Sequence, residues 1–249
     1  MTNKFYDTGE TRAARVSHLF ATIATRYDLI NDLQSCGLHR LWKRRIVQLA
    51  NPQPGQRALD ICCGTGDVAF ALQRAGASVV GLDFSEPMLA VARQRAKAQM
   101  LRLQEGGRIV AALELRQGDA QQLPFPDNSF EIVTISYGLR NLADWQLGLR
   151  EMWRVAKPGG RLLVLDFGKP DQRLWRELYF FYLGWFVPVF GKLFCGDSQT
   201  HAYILESLKK YPAQRGVSAK LQDMGCLDVQ VINLLGGVMS INSARKPGG

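Results

Sequence analysis

Residues 57–83 read RALDICCGTGDVAFALQRAGASVVGLD. The run opens with a short apolar stretch, 57–63, that ends at glycines, the pattern of a strand buried on both faces. A helical stretch over 68–76 closes on Gly76, and a second apolar strand, 78–83, ends in Asp83. Strand, glycine turn, helix and strand make a βαβ unit, which sets the fold class as α/β with a parallel sheet. Its first turn is Asp60-Ile-Cys-Cys-Gly64-Thr65-Gly66-Asp67. Glycines there let the backbone turn tightly and let a ligand approach amides that a Cβ would shield. Asp83 lies 19 residues beyond Gly64, near the ~20 at which an acid accepts bonds from ribose hydroxyls. Glycine loop, strand context and acid together predict an adenosine-containing ligand.

Outward from this unit the alternation continues. Residues 86–103 form a long helical pattern with Pro87 in its first turn. Strand patterns follow at 112–119 and 129–138, then a helix over 143–156, a tight turn at Lys157-Pro158-Gly159-Gly160 and a fifth strand at 161–168. Strands alternating with helices predict a mostly parallel sheet with helices on both faces. The alternation breaks at the end, where 227–234 and 238–244 carry strand content joined by a turn at Gly236-Gly237. That terminal hairpin makes the last strand antiparallel. Before the unit, residues 1–15 read as a loose arm. Residues 16–50 place apolar side chains such as Val16, Leu19, Phe20 and Ile23 at helical spacing, and a Pro/Gly break occupies 51–56. The expected organisation is one domain: an N-terminal helical arm (1–50) and a ligand-binding domain (51–249) with an insertion at 169–222, whose end, about 198–210, reads as a helix.

The chain has 249 residues, 47% hydrophobic and 21% charged, which excludes wholesale disorder and low-complexity fibres. Its 31 basic against 22 acidic residues give a net charge of +9. That favours an anionic partner without choosing between nucleic acid, an acidic membrane surface and a phosphorylated ligand. Five cysteines (Cys36, Cys62, Cys63, Cys195, Cys226) and no C-x-x-C pair argue against a disulfide framework and a zinc site, so no metal is expected. The polar N-terminus lacks the apolar core of a secretory signal, which predicts a reducing, cytoplasmic setting. Residues 174–195, LWRELYFFYLGWFVPVFGKLFC, test that view. Their uninterrupted apolar run, 178–191, is 14 residues, short of the ~20 a spanning helix needs. An interfacial or ligand-covering segment fits better.

The glycine spacing alone leaves the ligand open, because Gly64-x-Gly66-x-x-Ala69 also satisfies the dinucleotide fingerprint. Three features argue against a nicotinamide cofactor, the first of them suiting an ammonium or sulfonium group. Asp60 and Asp67 bracket the loop with negative charge, which repels a pyrophosphate and suits a cation. Gly118-Asp119-Ala120 sets another acceptor after the third strand, where an adenine amino group donates. A doubly wound dinucleotide domain is also not expected to end in a hairpin.

These features resemble a class I S-adenosylmethionine-dependent methyltransferase, which implies a Rossmann-like, mostly parallel seven-stranded sheet with an antiparallel C-terminal strand. A closer resemblance is to the family that C-methylates quinols in ubiquinone and menaquinone biosynthesis. It is carried by Tyr27-Asp28-x-x-Asn31, Ser35-x-x-x-His39-Arg40-x-Trp42-Lys43-Arg44, LPFPDN (123–128), ISYGLRN (135–141) and Arg154-Val-x-Lys-Pro-Gly-Gly-Arg161. It covers nearly the whole chain after residue 16. Departures are mild: the family usually has Met at Ile30, apolar residues at Gln34 and Ala156, Glu at Asp166 and Ser at Gly168. They bear on the substrate more than on the reaction.

The resemblance implies that Thr65, Asp83, Asp119, Ala120 and Ser136 hold S-adenosylmethionine as co-substrate, with Asp83 at the ribose, Asp119 and Ala120 at adenine and Ser136 near the methionine end. Asp60, Gly64 and Gly66 join them on the loop argument. The implied reaction displaces the sulfonium methyl with a quinol ring carbon, most readily that of demethylmenaquinol. A 2-polyprenyl-6-methoxy-1,4-benzoquinol and a 2-phytyl-1,4-naphthoquinol are alternatives. Arg140 is then expected to stabilise the quinolate while Asn141 and Tyr137 orient a ring oxygen. The base is His39, an aspartate, or a water held by Arg140. The aromatic segment is read as cover for the prenyl tail. Basic clusters at Arg40–Arg45 and Lys209-Lys210 are read as contacts to anionic lipid at the inner membrane face.

Plainer readings stand beside these. His39 and Arg40 can simply cap a helix, Cys62 and Cys63 can be packing residues, and the aromatic stretch can be core or a homodimer interface. A non-catalytic quinone-binding scaffold and a nicotinamide oxidoreductase are the rival functions. Nucleic acid is disfavoured as a partner, because Ser136-Tyr137-Gly138-Leu139 stands where an Asn/Asp-Pro-Pro-Tyr/Phe turn is expected.

Overall fold

The computed structural model describes residues 27–105, 111–195, 207–208 and 211–248. The arm expected over 1–15, the helical positions from Val16 to Ile23, most of the helix expected near 198–210 and the Lys209-Lys210 cluster lie outside the described residues.

Two helices come first, α1 (Tyr27–Ser35) and α2 (Leu38–Ala50). Gly37, with φ of 76°, turns the chain between them, and Asn51 ends α2 in the left-handed region. Then follow β1 (Arg57–Ile61), α3 (Asp67–Arg74), β2 (Ser78–Asp83), α4 (Glu86–Glu105), β3 (Leu113–Gln117), β4 (Phe130–Ser136), a 3-10 turn at Leu139–Asn141, and α5 (Trp145–Val155). Asp144 caps α5, its Oδ1 accepting the N–H groups of Gln146 and Leu147 at 2.8 and 3.0 Å. The chain continues with β5 (Ala156–Phe167), α6 (Arg173–Cys195), α7 (Ala213–Asp223), β6 (Leu227–Leu234) and β7 (Met239–Arg245).

The seven strands form one sheet in the order β3-β2-β1-β4-β5-β7-β6. The first five pair in parallel, and β7 runs antiparallel to both β5 and β6. This is the mixed sheet with a reversed C-terminal strand that the sequence predicts. β1 lies inside the sheet and is buried from Ala58 to Ile61, hence its mostly apolar run. Alternation along the strands divides the core in two. Ala58, Ile132, Leu163 and Leu165 pack with Ile46 of α2 and Val68 and Leu72 of α3. Leu59, Val133, Leu162 and Val164 face Leu149 and Met152 of α5, Tyr179 and Leu183 of α6 and Val217 of α7.

One expectation needs correction. Lys157-Pro158-Gly159-Gly160 is not a separate tight turn but the irregular start of β5. Pairing to β4 jumps from Phe130↔Ala156 to Ile132↔Arg161. Gly159, at φ of 74°, absorbs the jump, and Lys246 beyond β7 clamps it through its backbone, with Gly159 N–H donating to Lys246 O and Lys246 N–H to Gly160 O.

The aromatic segment is helix α6, two-faced in an unusual way. Tyr179 and Leu183 are buried, while Leu174, Leu178, Phe181 and Trp185, spaced three to four residues apart, are exposed, the last two by 60% and 63%. Among the described residues no helix is long and apolar enough to cross a membrane.

Candidate active site

The sheet order reverses at β1, whose neighbours β2 and β4 lead the chain to opposite sides. Outside the carboxyl ends of strands at such a point lies a crevice where α/β sheets bind ligands. Here it holds about 830 Å³, solvent mouth included. Its wall comes from four segments: Cys62 and Gly64 after β1, Leu82 to Ser85 with Met88 around the end of β2, Gly118 to Gln121 after β3, and Ser136 to Gly138 with Asn141 to Ala143 after β4.

Asp83 ties two of these segments together. Its Oδ2 accepts the Gly64 N–H at 2.7 Å and its Oδ1 the Ser85 N–H at 2.9 Å. Burial pushes the carboxyl pKa up, and the amides of Ser85, Gly64 and Phe84 hold it back. Asp119 Oδ1 accepts the Gln121 N–H at 2.8 Å and so shapes the turn after β3. Ser85 Oγ and Ser136 Oγ are buried polar atoms of the wall with no hydrogen-bond partner among the described residues. Phe84, 48% exposed, supplies an aromatic face at the same wall.

The turn after β4 is strained. Tyr137 and, facing it after β1, Cys62 both hold positive φ, 60° and 53°, a conformation non-glycine residues adopt at a cost of order 1–3 kcal/mol. Gly138 makes their approach feasible, since a Cβ there would stand 2.5 Å from that of Cys62. Asn141 returns toward Tyr137, its Nδ2 donating to the Tyr137 carbonyl at 3.0 Å.

Gly64, Asp83, Asp119, Ala120, Ser136, Tyr137 and Asn141 therefore share one crevice. Asp60, Thr65, Gly66, Arg140 and His39 are not on its wall, each for a physical reason. Asp60 is buried beneath the loop, accepting the Thr134 hydroxyl at 2.7 Å; burial pushes its pKa up to about 7. Thr65 is buried and its carbonyl takes Arg95 Nη1 at 3.0 Å. Gly66, at φ of 92°, lets the loop close over the Phe70 ring, 2.7 Å from where a Cβ would sit. Arg140 lies behind the wall, 8% exposed, its Nε 3.2 Å from Asp166 Oδ1. Its Nη1 donates to Asn141 Oδ1 at 2.8 Å. His39 is buried on α2 with Nε2 2.8 Å from Asp32 Oδ1, binding α1 to α2. Burial, then the Lys43 charge, lowers its pKa.

The electrostatic picture shifts accordingly. Asp67 is neutralised by Lys43 Nζ at 2.7 Å and Arg95 Nη2 at 2.5 Å. Burial alone would raise its pKa, but Lys43 and Arg95 pull it down to about 2. The acids on the crevice wall are Asp83 and Asp119, not the pair that brackets the loop in sequence. Sequence reading also missed Phe84, Met88, Gln121 and Leu142. Phe84 was findable, as a large aromatic directly after the strand-end acid. Leu142 and Met88 carry no such signal.

This donor set fits S-adenosylmethionine: carboxylates for hydroxyl and amino donors, buried serine hydroxyls, an aromatic face and apolar Leu82 and Met88. Sheet order and crevice together define a class I S-adenosylmethionine-dependent methyltransferase. A crystal structure described as an S-adenosylmethionine-dependent methyltransferase from Aquifex aeolicus shares the fold, with a TM-score of 0.57 at 17% identity over 88% of this chain and 97% of that one. The model of the ubiE/COQ5 methyltransferase family matches residues 7–246, and the chain belongs to that family. A Cellvibrio japonicus relative named ubiquinone/menaquinone biosynthesis C-methyltransferase is 39% identical, covering 96% of this chain and 94% of its own. A Desulfitobacterium hafniense relative named demethylmenaquinone methyltransferase is 38% identical, covering 96% and 92%.

Proposed function

We propose that the enzyme methylates a ring carbon of a polyprenylated quinol, with demethylmenaquinol as the principal substrate. The observation that carries this reading is the continuity of one wall: Asp83, Asp119 and Ser136 pass directly into Tyr137 and Asn141. The bound co-substrate supplies a methyl group on a sulfonium. Asp83 and Asp119 hold its hydroxyl and amino donors, and the Ser136 hydroxyl takes its polar end. Asn141 holds a ring oxygen of the quinol through its amide, which Arg140 Nη1 and the Tyr137 carbonyl fix at both ends. Tyr137, edge-on to Phe167 with ring centroids 6.2 Å apart, limits where a flat ring can lie. Leu82, Met88 and Leu142 keep water from the reacting pair. Positioning and water exclusion supply most of the catalysis in a transfer that neutralises a quinolate beside a cation.

The prenyl tail accounts for α6. Each buried CH₂ is worth ~0.8 kcal/mol, and the exposed row Leu174, Leu178, Phe181 and Trp185 is apolar enough to meet such a chain where it emerges from lipid. The relatives' names, one covering ubiquinone and menaquinone biosynthesis and one demethylmenaquinone alone, support a naphthoquinone-derived substrate first and a benzoquinol as the second reading. Incubation with methyl-labelled co-substrate and a panel of reduced naphtho- and benzoquinols, read by mass spectrometry, tests it. Methylated naphthoquinol is expected as the main product. Benzoquinol product alone moves the head group, and co-substrate binding with no product from any quinol overturns catalysis in favour of a scaffold.

A further inference from the structure

We propose that Asp166 is a positioning residue for the methyl transfer: it holds Arg140, and through Arg140 it sets the edge that the Asn141 amide turns toward the crevice. This rests on the reading above, in which Asn141 holds the quinol oxygen. Asp166 is the penultimate residue of β5 and is 2% exposed. Its Oδ2 accepts the backbone N–H of Arg140 at 3.1 Å, and its Oδ1 stands 3.2 Å from Arg140 Nε and accepts the Phe167 N–H at 2.8 Å. The carboxylate thus grips both the backbone and the guanidinium of one residue. The guanidinium lies over the Phe167 ring, 4.8 Å from its centroid, and its Nη1 donates to Asn141 Oδ1 at 2.8 Å and to Ser207 Oγ at 3.0 Å. Of these groups only Asn141 reaches the crevice.

A side-chain amide has two chemically different edges, and its partners decide which one faces a ligand. Arg140 claims the oxygen edge of Asn141, and the Tyr137 carbonyl takes a proton of the nitrogen edge. Without Asp166 the buried guanidinium would lose the carboxylate that stands 3.2 Å from its Nε, and it would shift toward its other partners. The Asn141 oxygen would then lose the partner that orients it. Ser207 Oγ accepts from the same Nη1, so Ser207 and the amide on the crevice wall share one anchor.

The test is a double-mutant cycle on the full-length enzyme. Asp166→Asn is expected to keep co-substrate affinity within about threefold and to lower kcat about 100-fold, the loss that follows from misplacing a reactant by about 1 Å. Asp166→Glu should restore most of that rate. Asp166→Asn combined with Asn141→Ala should be no slower than Asn141→Ala alone, because the two act as one unit. Additive losses, or an unchanged kcat in Asp166→Asn, overturn the proposal. If Asp166→Asn does not fold, Arg140→Lys retains a charge facing Asp166 and removes the Nη1 bond to Asn141; the same loss and the same non-additivity are expected, and normal turnover overturns it. A second arm uses no activity. In a crystal structure of Asp166→Asn, or of Arg140→Lys in its place, the Asn141 amide should leave its present orientation, and an unmoved Asn141 overturns the proposal. A wild type that methylates no quinol would sink the substrate reading, while the crystal arm would still decide whether Asp166 governs Asn141.

Discussion

Replacing Asp67 by Asn should cost stability in a way that depends on pH. Asp67 opens α3, directly after the glycine loop, and joins three helices: Lys43 reaches it from α2 and Arg95 from α4. Arg95 also holds the Thr65 carbonyl inside the loop, so the same ion cluster fixes the turn beside the crevice. The Asp67 pKa falls from 3.8 to about 2. At about 1.4 kcal/mol per unit, that shift corresponds to at most about 2.5 kcal/mol, and partial exposure of Arg95 reduces it to about 2. The sign follows from the lowered value: the contribution is complete above the unfolded pKa of 3.8 and is lost as pH falls through about 2. Urea unfolding of wild type and Asp67→Asn should therefore differ by about 2 kcal/mol at pH 7, with the gap narrowing below pH 4 and about half of it left near pH 3. Co-substrate affinity should weaken in parallel, since the loop loses its brace. A difference under about 0.5 kcal/mol at pH 7, or one that stays constant down to pH 3, would refute the assignment of the cluster as the loop's brace.

Other expectations follow from the same geometry. Asp83→Ala removes the acceptor of the Gly64 and Ser85 amides together with the ligand's, and co-substrate affinity by calorimetry should fall about 100-fold or more; near-native affinity would argue against the crevice as the binding site. Gly66→Ala forces a Cβ onto the Phe70 ring at a φ of 92°, and thermal unfolding should show a loss of about 2 kcal/mol; an unchanged midpoint would mean the loop relaxes freely. Phe181→Gln with Trp185→Gln should lower sedimentation with anionic vesicles several-fold at unchanged Tm. If instead only the size by gel filtration falls, the exposed row of α6 is a homodimer interface.

Most of the sheet was legible because its signal is local. β1, β2 and β4 are buried on both faces and advertise this as apolar-rich runs, and a glycine follows within three residues of the ends of β1 and β4. The final hairpin was readable from Gly236-Gly237 between two strand patterns, and Gly236 does take a positive φ of 64° there. The start of β5 was misread for the opposite reason. Pro158-Gly159-Gly160 has turn chemistry, but its conformation is decided by Lys246, a residue from the far end of the chain that locks onto Gly159 and Gly160. A propensity reading carries no information about that partner.

The site divides along the same line. Gly64, Asp83 and Asp119 share the crevice wall because their spacing encodes topology, and Ser136, which only the family resemblance singles out, joins them there: each stands at or just beyond the carboxyl end of a parallel strand, and such ends converge wherever the sheet order reverses. Charge could not be read that way. The sequence places Asp60 and Asp67 beside the glycine loop as two carboxylates, but it does not show the partners that set their charge. Lys43 precedes Asp67 by 24 residues and Arg95 follows it by 28, so the neutralising ions come from helices the loop motif does not contain. Burial pushes the Asp60 pKa up to about 7, and that burial depends on the whole sheet closing over it. The preference for a sulfonium ligand therefore stands on Asp83, Asp119 and the fold, although one of its first grounds was the wrong pair of carboxylates. Arg140 extends the point. Its sequence neighbourhood marks it as important, yet its fork serves Asn141 and Ser207 and its charge serves Asp166. Which residue touches the ligand and which one holds the toucher is a fact of packing, visible only when the strands are assembled.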